Sequence, residues 1–275
     1  MDPVIRCMDY TDAMTPSSST TPTPTPTEPS SAGSIQVLQR AALLIRTIGE
    51  HRGGLRLAEL GELVDLPKTT IHRIVGALTE ERLLRIDPSG RIWLGSSVLA
   101  LARLAATELA EQLRPVLVEL HRVVDETVDL SVLDGSSVHF IDQIQSTQRL
   151  RAVSSVGSTF PLHCSANGKA FLASLPLDQL DEMLTRPLER FTENTITEPD
   201  ELRAELDVIR AEGVAYDYEE HTLGIAAVAI ALTDPTGPIA AISIPTPADR
   251  FEINEPRLRA ELLAAAAQAR TMLSA

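Results

Sequence analysis

Lys68, Thr69, Thr70, His72 and Arg73 fall within six consecutive residues. Two cations, two hydroxyls and an imidazole at that spacing can hydrogen-bond phosphate oxygens and base edges. They interleave with Ile71, Ile74, Val75 and Leu78, which fall on the opposite side of a helix. Arg73 is best placed to read a base, guanine in particular, and Lys68, at the helix start, to hold a phosphate. The helix's first amides can also face a phosphate. Arg85 and Arg91 flank Asp87-Pro88-Ser89-Gly90 and can reach the backbone or minor groove. The same pattern also describes the solvated face of a small helical bundle, so its surroundings must decide.

A second group is scattered more widely. Ser165, Asn167, Asp217 and Ser243 could supply the few convergent polar groups that a small-ligand site needs. Ala227, Ala229 and Ala231 make one face of a strand small, which either leaves room for a ligand or lets a helix pack closely. The amides before Lys169 could hold a carboxylate if Asn167 and Gly168 open a helix. His163-Cys164 with Asp217 invites a cysteine-nucleophile reading, but adjacent residues on an extended segment point apart. His163, Asp217, Glu219 and His221 have metal-ligand types without a tight ligand spacing. Neither a catalytic residue nor a metal ligand is therefore expected.

Local patterns suggest the elements that position these residues. A helix is expected over residues 34–51, capped by Ser34 and ended by Gly53-Gly54. A second covers 57–64. Asp65-Leu66-Pro67 turns into the third, with Pro67 in its first turn and its end near Glu81. Two short strands, 83–86 and 91–94, surround a type I turn. This is the order of a winged helix-turn-helix. A connector helix follows over 96–112, and Arg114-Pro115 marks the entry to a second domain. There, helices are expected over 115–127, 167–174, 177–184, 199–212 and 255–273. Strands are expected over 128–133, 138–144, 151–156, 225–233 and 239–244. A curved antiparallel sheet with helices packed on it is the simplest α+β assembly.

Charge is divided unevenly. The chain carries −14 overall, yet residues 35–95 hold nine Lys/Arg against seven Asp/Glu, whereas residues 96–275 hold fourteen against twenty-seven. A mildly basic domain joined to an acidic one permits DNA binding without proving it. The Ser/Thr/Pro-rich residues 1–33 are expected to be a disordered tail, with Met8 and Met14 as alternative starts to Met1. The apolar run 224–232 is too short to span a membrane, and no basic-then-apolar leader is present. Cys7 and Cys164 are the only cysteines and form no C-x-x-C pair, which fits a reducing cytoplasm.

Four motifs in order carry a resemblance. They are Leu66-Pro67-Lys68-Thr69-Thr70-Ile71-His72-Arg73 with Trp93-Leu94-Gly95; Phe160-Pro161-Leu162-His163-Cys164-Ser165-Ala166-Asn167-Gly168-Lys169-Ala170; Tyr216-Asp217-Tyr218-Glu219-Glu220-His221; and Ala240-Ala241-Ile242-Ser243-Ile244. Through them the chain resembles the isocitrate-lyase-regulator (IclR) family of bacterial transcription factors from Ile35 onward. The resemblance implies a winged helix-turn-helix over 34–95, a linker helix over 96–113 and a GAF-like effector-binding domain over 114–275. It implies homodimers, or dimers of dimers, on palindromic double-stranded operator DNA. It also implies repression or activation of small-molecule catabolic genes, commonly for organic acids and aromatics, through an effector and without a cofactor. Carried over by position, the effector pocket falls at Ala166, Asn167, Asp217, Ala227 and Ser243. Asn167 stands where the family commonly has a small residue, and Pro245 where it often has Ser. A glyoxylate-like or pyruvate-like ligand is therefore not assumed, although a carboxylate remains a candidate. The alternative is a small-molecule sensor or enzyme with a vestigial helix-turn-helix.

Overall fold

The computed structural model describes residues 31–51, 53–235 and 237–274. The expected tail lies outside these residues except for Ser31, Ala32 and Gly33, which are helical. The chain divides into two compact units between Ser96 and Ser97.

The first unit runs α1 (Ser31–Glu50), β1 (Leu55–Arg56), α2 (Leu57–Leu63), α3 (Lys68–Glu80), β2 (Leu84–Ile86) and β3 (Arg91–Leu94). Helix α1 starts three residues before the expected Ser34 cap, which places Ser34 inside it. Leu44, Ile48, Leu60, Ile71, Ile74, Val75, Leu78, Leu84 and Ile92 form its core. Strands β2 and β3 pair around the Asp87–Gly90 turn, and β1 adds to the free edge of β3. Gly95 closes the wing, because a Cβ there would lie 2.0 Å from the Arg82 carbonyl oxygen.

The second unit contains α4 (Ser96–Val124), β4 (Val128–Asp134), β5 (Ser137–Ile144), β6 (Thr159–Pro161), α5 (Ala166–Ser174), α6 (Leu177–Leu184), α7 (Pro199–Glu212), β7 (Ala215–Tyr218), β8 (Ile225–Asp234), β9 (Gly237–Pro247) and α8 (Ala248–Leu273). Its sheet is antiparallel throughout, in the order β6-β5-β4-β9-β8-β7. Strand β8 explains how both faces are covered. Val228, Ile230 and Leu232 join the core formed with α4 and α8, while Ala227 and Ala229 join the core formed with α5 and α7. Period-two alternation therefore sorts large residues to one face and small ones to the other.

Three expectations are corrected. The helices expected over 96–112 and 115–127 are one helix, α4, with Pro115 inside it. An interior proline costs about 3 kcal/mol. Burial of Leu113, Val116, Leu117 and Leu120 offsets that, and Arg114 donates to Asp142 at 2.5 Å. Helix α8 begins seven residues before the expected 255, because Phe251 is buried and extends it past Pro256. The strand expected over 151–156 is absent. Thr127 Oγ1 donates to the Ala152 carbonyl and Ser154 Oγ to Asp129, so side chains satisfy this segment in place of a ladder. The edge strand is β6 instead. The short β1 and β7 were not expected.

Helix α5 is buried from Ala166 to Ala173. A Cβ on Gly168 would lie 2.2 Å from the Leu162 carbonyl oxygen, whereas one on Gly76 of α3 meets nothing within 4 Å. Gly168→Ala should therefore destabilise the chain by about 3 kcal/mol through overpacking, and Gly76→Ala should stabilise it by about 0.5–1 kcal/mol through helix entropy. Urea unfolding followed by circular dichroism measures both. A wild-type midpoint for Gly168→Ala would show that the Leu162 segment yields.

Candidate functional site

Helix α3 presents two faces. Ile71, Ile74, Val75 and Leu78 are buried, while Lys68, Thr69, His72 and Arg73 are exposed and Thr70 is half-buried. Pro67 presets the entry, and its carbonyl accepts from the amides of Thr70 and Ile71 at 2.8 and 3.1 Å. Among the described residues, Lys68, His72 and Arg73 make no side-chain hydrogen bond or ion pair, so their donors remain available to an external acceptor.

The wing is built on Asp87. Its Oδ1 accepts from Ser89 N, Ser89 Oγ and Arg91 N at 2.8, 2.6 and 3.0 Å, and its Oδ2 accepts from Trp93 Nε1 at 2.9 Å. These donors, the Ser89 hydroxyl foremost, hold the Asp87 carboxyl well below the usual carboxylate range. Arg85 is exposed and lies over the Trp93 ring, 5.0 Å from its centroid. Arg91 is placed differently. Its guanidinium donates to the Gly54 carbonyl at 2.8 Å and approaches Glu59 at 3.4 Å, tying the wing to the first unit's body. Its Nη1 is thus engaged inside the protein, whereas the Arg85 guanidinium makes no hydrogen bond or ion pair among the described residues.

The second unit contains a cavity of about 180 Å³. Ser165, Ala166, Asn167, Asp217, Ala227 and Ser243, dispersed over 79 residues of sequence, all line it. Strand register explains the convergence. Asp217 pairs with Ala227, Ala229 with Ser243, and Ser243 with Asp129, and directly paired residues share a face. The N-terminus of α5 closes this face. Ser165 caps it, its Oγ accepting from Gly168 N at 3.3 Å and donating to the Pro161 carbonyl at 2.7 Å. Asn167 Nδ2 donates to Ser131 Oγ at 2.8 Å.

Burial dominates the electrostatics. It pushes the Asp217 carboxyl up to about 7, helped by the Glu220 charge and opposed by the Glu220 amide, which donates to Oδ1 at 2.8 Å. It pushes Asp129 up to about 6 despite hydrogen bonds from Ser154 and Gln143. Two residues along α5 from Asn167, Lys169 is 0% exposed and donates to Glu205 and Glu220 at 2.5 Å each. Burial opposes its charge, but the two carboxylates outweigh that and keep the ammonium protonated.

Several lining residues were not anticipated. Asp129 occupies a polar position in an alternating strand, a pattern that normally marks solvent, yet it faces the cavity. Phe140, Phe160 and His221 supply ring surfaces, His221 stacking on Phe160 at 4.1 Å. Their signal was weak because single aromatics in short strands look like ordinary core.

The sharper chemistries find little support. Cys164 is buried, which raises its thiol to about 12, and His163 Nε2 lies 2.8 Å from the Glu189 carbonyl. Among the described residues, no three His, Cys, Asp or Glu side chains gather to hold a metal ion. Nor is any helix among them long and apolar enough to cross a membrane.

The chain matches the IclR helix-turn-helix domain over residues 37–88 and the bacterial transcriptional regulator IclR C-terminal family over residues 101–271. It is 45% identical over 234 residues to the HTH-type transcriptional regulator Rv1719 of Mycobacterium tuberculosis, covering 85% of this chain and 90% of that protein. Against the transcriptional repressor IclR of Escherichia coli the identity is 33% over 226 residues, covering 80% and 82%. The crystal structure of the IclR protein of Thermotoga maritima superposes with a TM-score of 0.59 at 27% identity, covering 88% of this chain and all of that one. With a free-cation helix and wing in one unit and a cavity in the other, the chain belongs to the IclR family of bacterial transcriptional regulators.

Proposed function

We propose that the chain is a ligand-responsive repressor, acting as a homodimer or a dimer of dimers on double-stranded operator DNA in the cytoplasm. Its target is an operon for breakdown of a small organic acid or aromatic compound, and no cofactor takes part. The observation that carries this is the α3 face, where Lys68, Thr69, His72 and Arg73 are exposed, with the three ionisable side chains unengaged. The repressor named among its relatives supports the sign of regulation. The cavity supplies the input. A ligand that prefers one arrangement of the protein changes operator affinity by the ratio of its affinities for the two arrangements. The enzyme alternative lacks a nucleophile and base in contact, since the Cys164 thiol is buried and His163 faces a backbone carbonyl.

Three outcomes are expected. In mobility-shift titrations on DNA upstream of the chain's own gene and its divergent neighbour, Arg73→Ala should weaken specific binding by about 1–3 kcal/mol. Lys68→Ala should reduce the salt slope by about one unit. A flat salt dependence of the wild-type shift would argue against phosphate-led binding. Arg91→Ala should act mainly through stability, lowering the first unit's melting temperature, because it unties the wing. An Arg91→Ala protein with unchanged melting but lost DNA binding would instead place Arg91 at the DNA.

A further inference from the structure

The polar groups inside the cavity are unbalanced in sign. Asp129 is fully buried, and its two oxygens accept from Gln143 Nε2 at 2.7 Å and Ser154 Oγ at 2.5 Å. Asp217 is 6% exposed and accepts from the Glu220 amide. Ser243, directly across the sheet from Asp129, is 1% exposed, and its hydroxyl has no hydrogen-bond partner among the described residues. Ser243 lines the cavity, so that hydroxyl is available to a bound molecule.

Positive charge does not balance the two carboxyls. Lys169, the nearest buried cation, is engaged by Glu205 and Glu220. Arg151, an exposed residue, lines the cavity, and only its Nη1 is engaged, donating to the Gln148 carbonyl at 3.3 Å; set against Asp129 and Asp217 it leaves the lining net negative. The N-terminus of α5 contributes about half a unit charge, part of it already directed at Ser165. Around Asp217 the charged and titratable neighbours are Lys169 on α5, Cys164 before it, Glu205 on α7, and Glu220 and His221 after β7. Their sum is not positive. An incoming anion therefore meets two buried carboxyls whose ionisation it opposes. A neutral molecule bearing O–H or N–H groups donates to the same carboxyl oxygens and to Ser243 without that conflict.

Shape narrows the class further. Phe140 meets Phe160 edge-on with ring centroids 5.0 Å apart, His221 stacks on Phe160, and Ala227 and Pro245 pair side by side on the sheet face. An apolar cavity of roughly 150 Å³ accepts benzene, so about 180 Å³ accommodates one ring with a small substituent.

We infer that the cavity, taken as the effector site proposed above, selects an uncharged single-ring molecule carrying hydroxyl or N–H donors and discriminates against its carboxylate counterpart. The test is calorimetric titration of the full-length protein at pH 8 with two matched pairs: benzyl alcohol against benzoate, and 4-hydroxybenzyl alcohol against 4-hydroxybenzoate. The neutral member of each pair should bind about tenfold or more tightly than its partner. Asp217→Asn should narrow that gap, and Ser243→Ala, which breaks no hydrogen bond within the protein, should weaken only the neutral members. Ala227→Phe should abolish binding by filling the space. Carboxylates binding as well as their neutral partners would overturn the selectivity. Failure of all four compounds to bind at millimolar concentration would overturn the ring class. Neutral compounds that bind Ala227→Phe undiminished would show that the cavity reading, rather than the selectivity, is wrong.

Discussion

A helix with no exposed face can lie on a sheet only if side-chain volume is given up around it, and α5 meets that condition along the alanines of β8 and at Gly168, which lies against the Leu162 segment leading into the helix. The Gly168 position leaves no room for a Cβ against Leu162, and Ala227 and Ala229 present the shallowest surface available to a strand. Close approach brings Lys169 into the interior, where an unpaired ammonium would cost several kcal/mol. Glu205 from α7 and Glu220 from the β7–β8 loop neutralise it. One packing constraint thus requires the ion triad, and the triad fixes the loop that carries Glu220 and His221, directly after Asp217 of β7, along the cavity wall. Glu219 holds a left-handed backbone angle of 62° in that loop, and its Oε2 accepts from the Gly224 amide.

The triad also limits how that wall can move. Displacing Glu220 leaves Lys169 with one carboxylate, and breaking a buried ion pair typically costs about 3–5 kcal/mol. Small drifts of the loop are therefore disfavoured, and any alternative position must supply new partners. Such a loop suits a sensor, because discrete arrangements convert a ligand's differential affinity into a population shift.

The first unit divides its charged side chains by role. Asp87 and Arg91 are engaged in holding the wing, with Asp87 collecting four donors and Arg91 bound to Gly54 and Glu59. Lys68, His72 and Arg73 are left without partners on the exposed side of α3. Residues of one chemical type therefore act as scaffold or as contact according to whether the fold provides a partner, a distinction that neither composition nor spacing contains.

By itself the sequence determined the features that rest on neighbours along the chain. The helix-turn-helix and its wing follow from helical periodicity, Pro67 at a first turn and the Asp87–Gly90 turn. Helices α6 and α7 lie where periodicity places them, with Gly213 in the left-handed conformation that ends α7. The four motifs indicated the family, and its positions pointed to five residues that line one cavity, to which the polar residue types added Ser165. Tertiary structure alone decided the rest. Pro115 and Pro256 look like helix boundaries locally, but burial on the sheet carries α4 and α8 through them. Asp129 occupies a polar strand position that alternation alone assigns to water, yet α5 covers that face. The pairing of Ala229 with Ser243 depends on register between strands, which hydrophobic alternation leaves open by steps of two residues. Local structure is set by forces that decay within a few residues, whereas the cavity's contents depend on which surfaces meet.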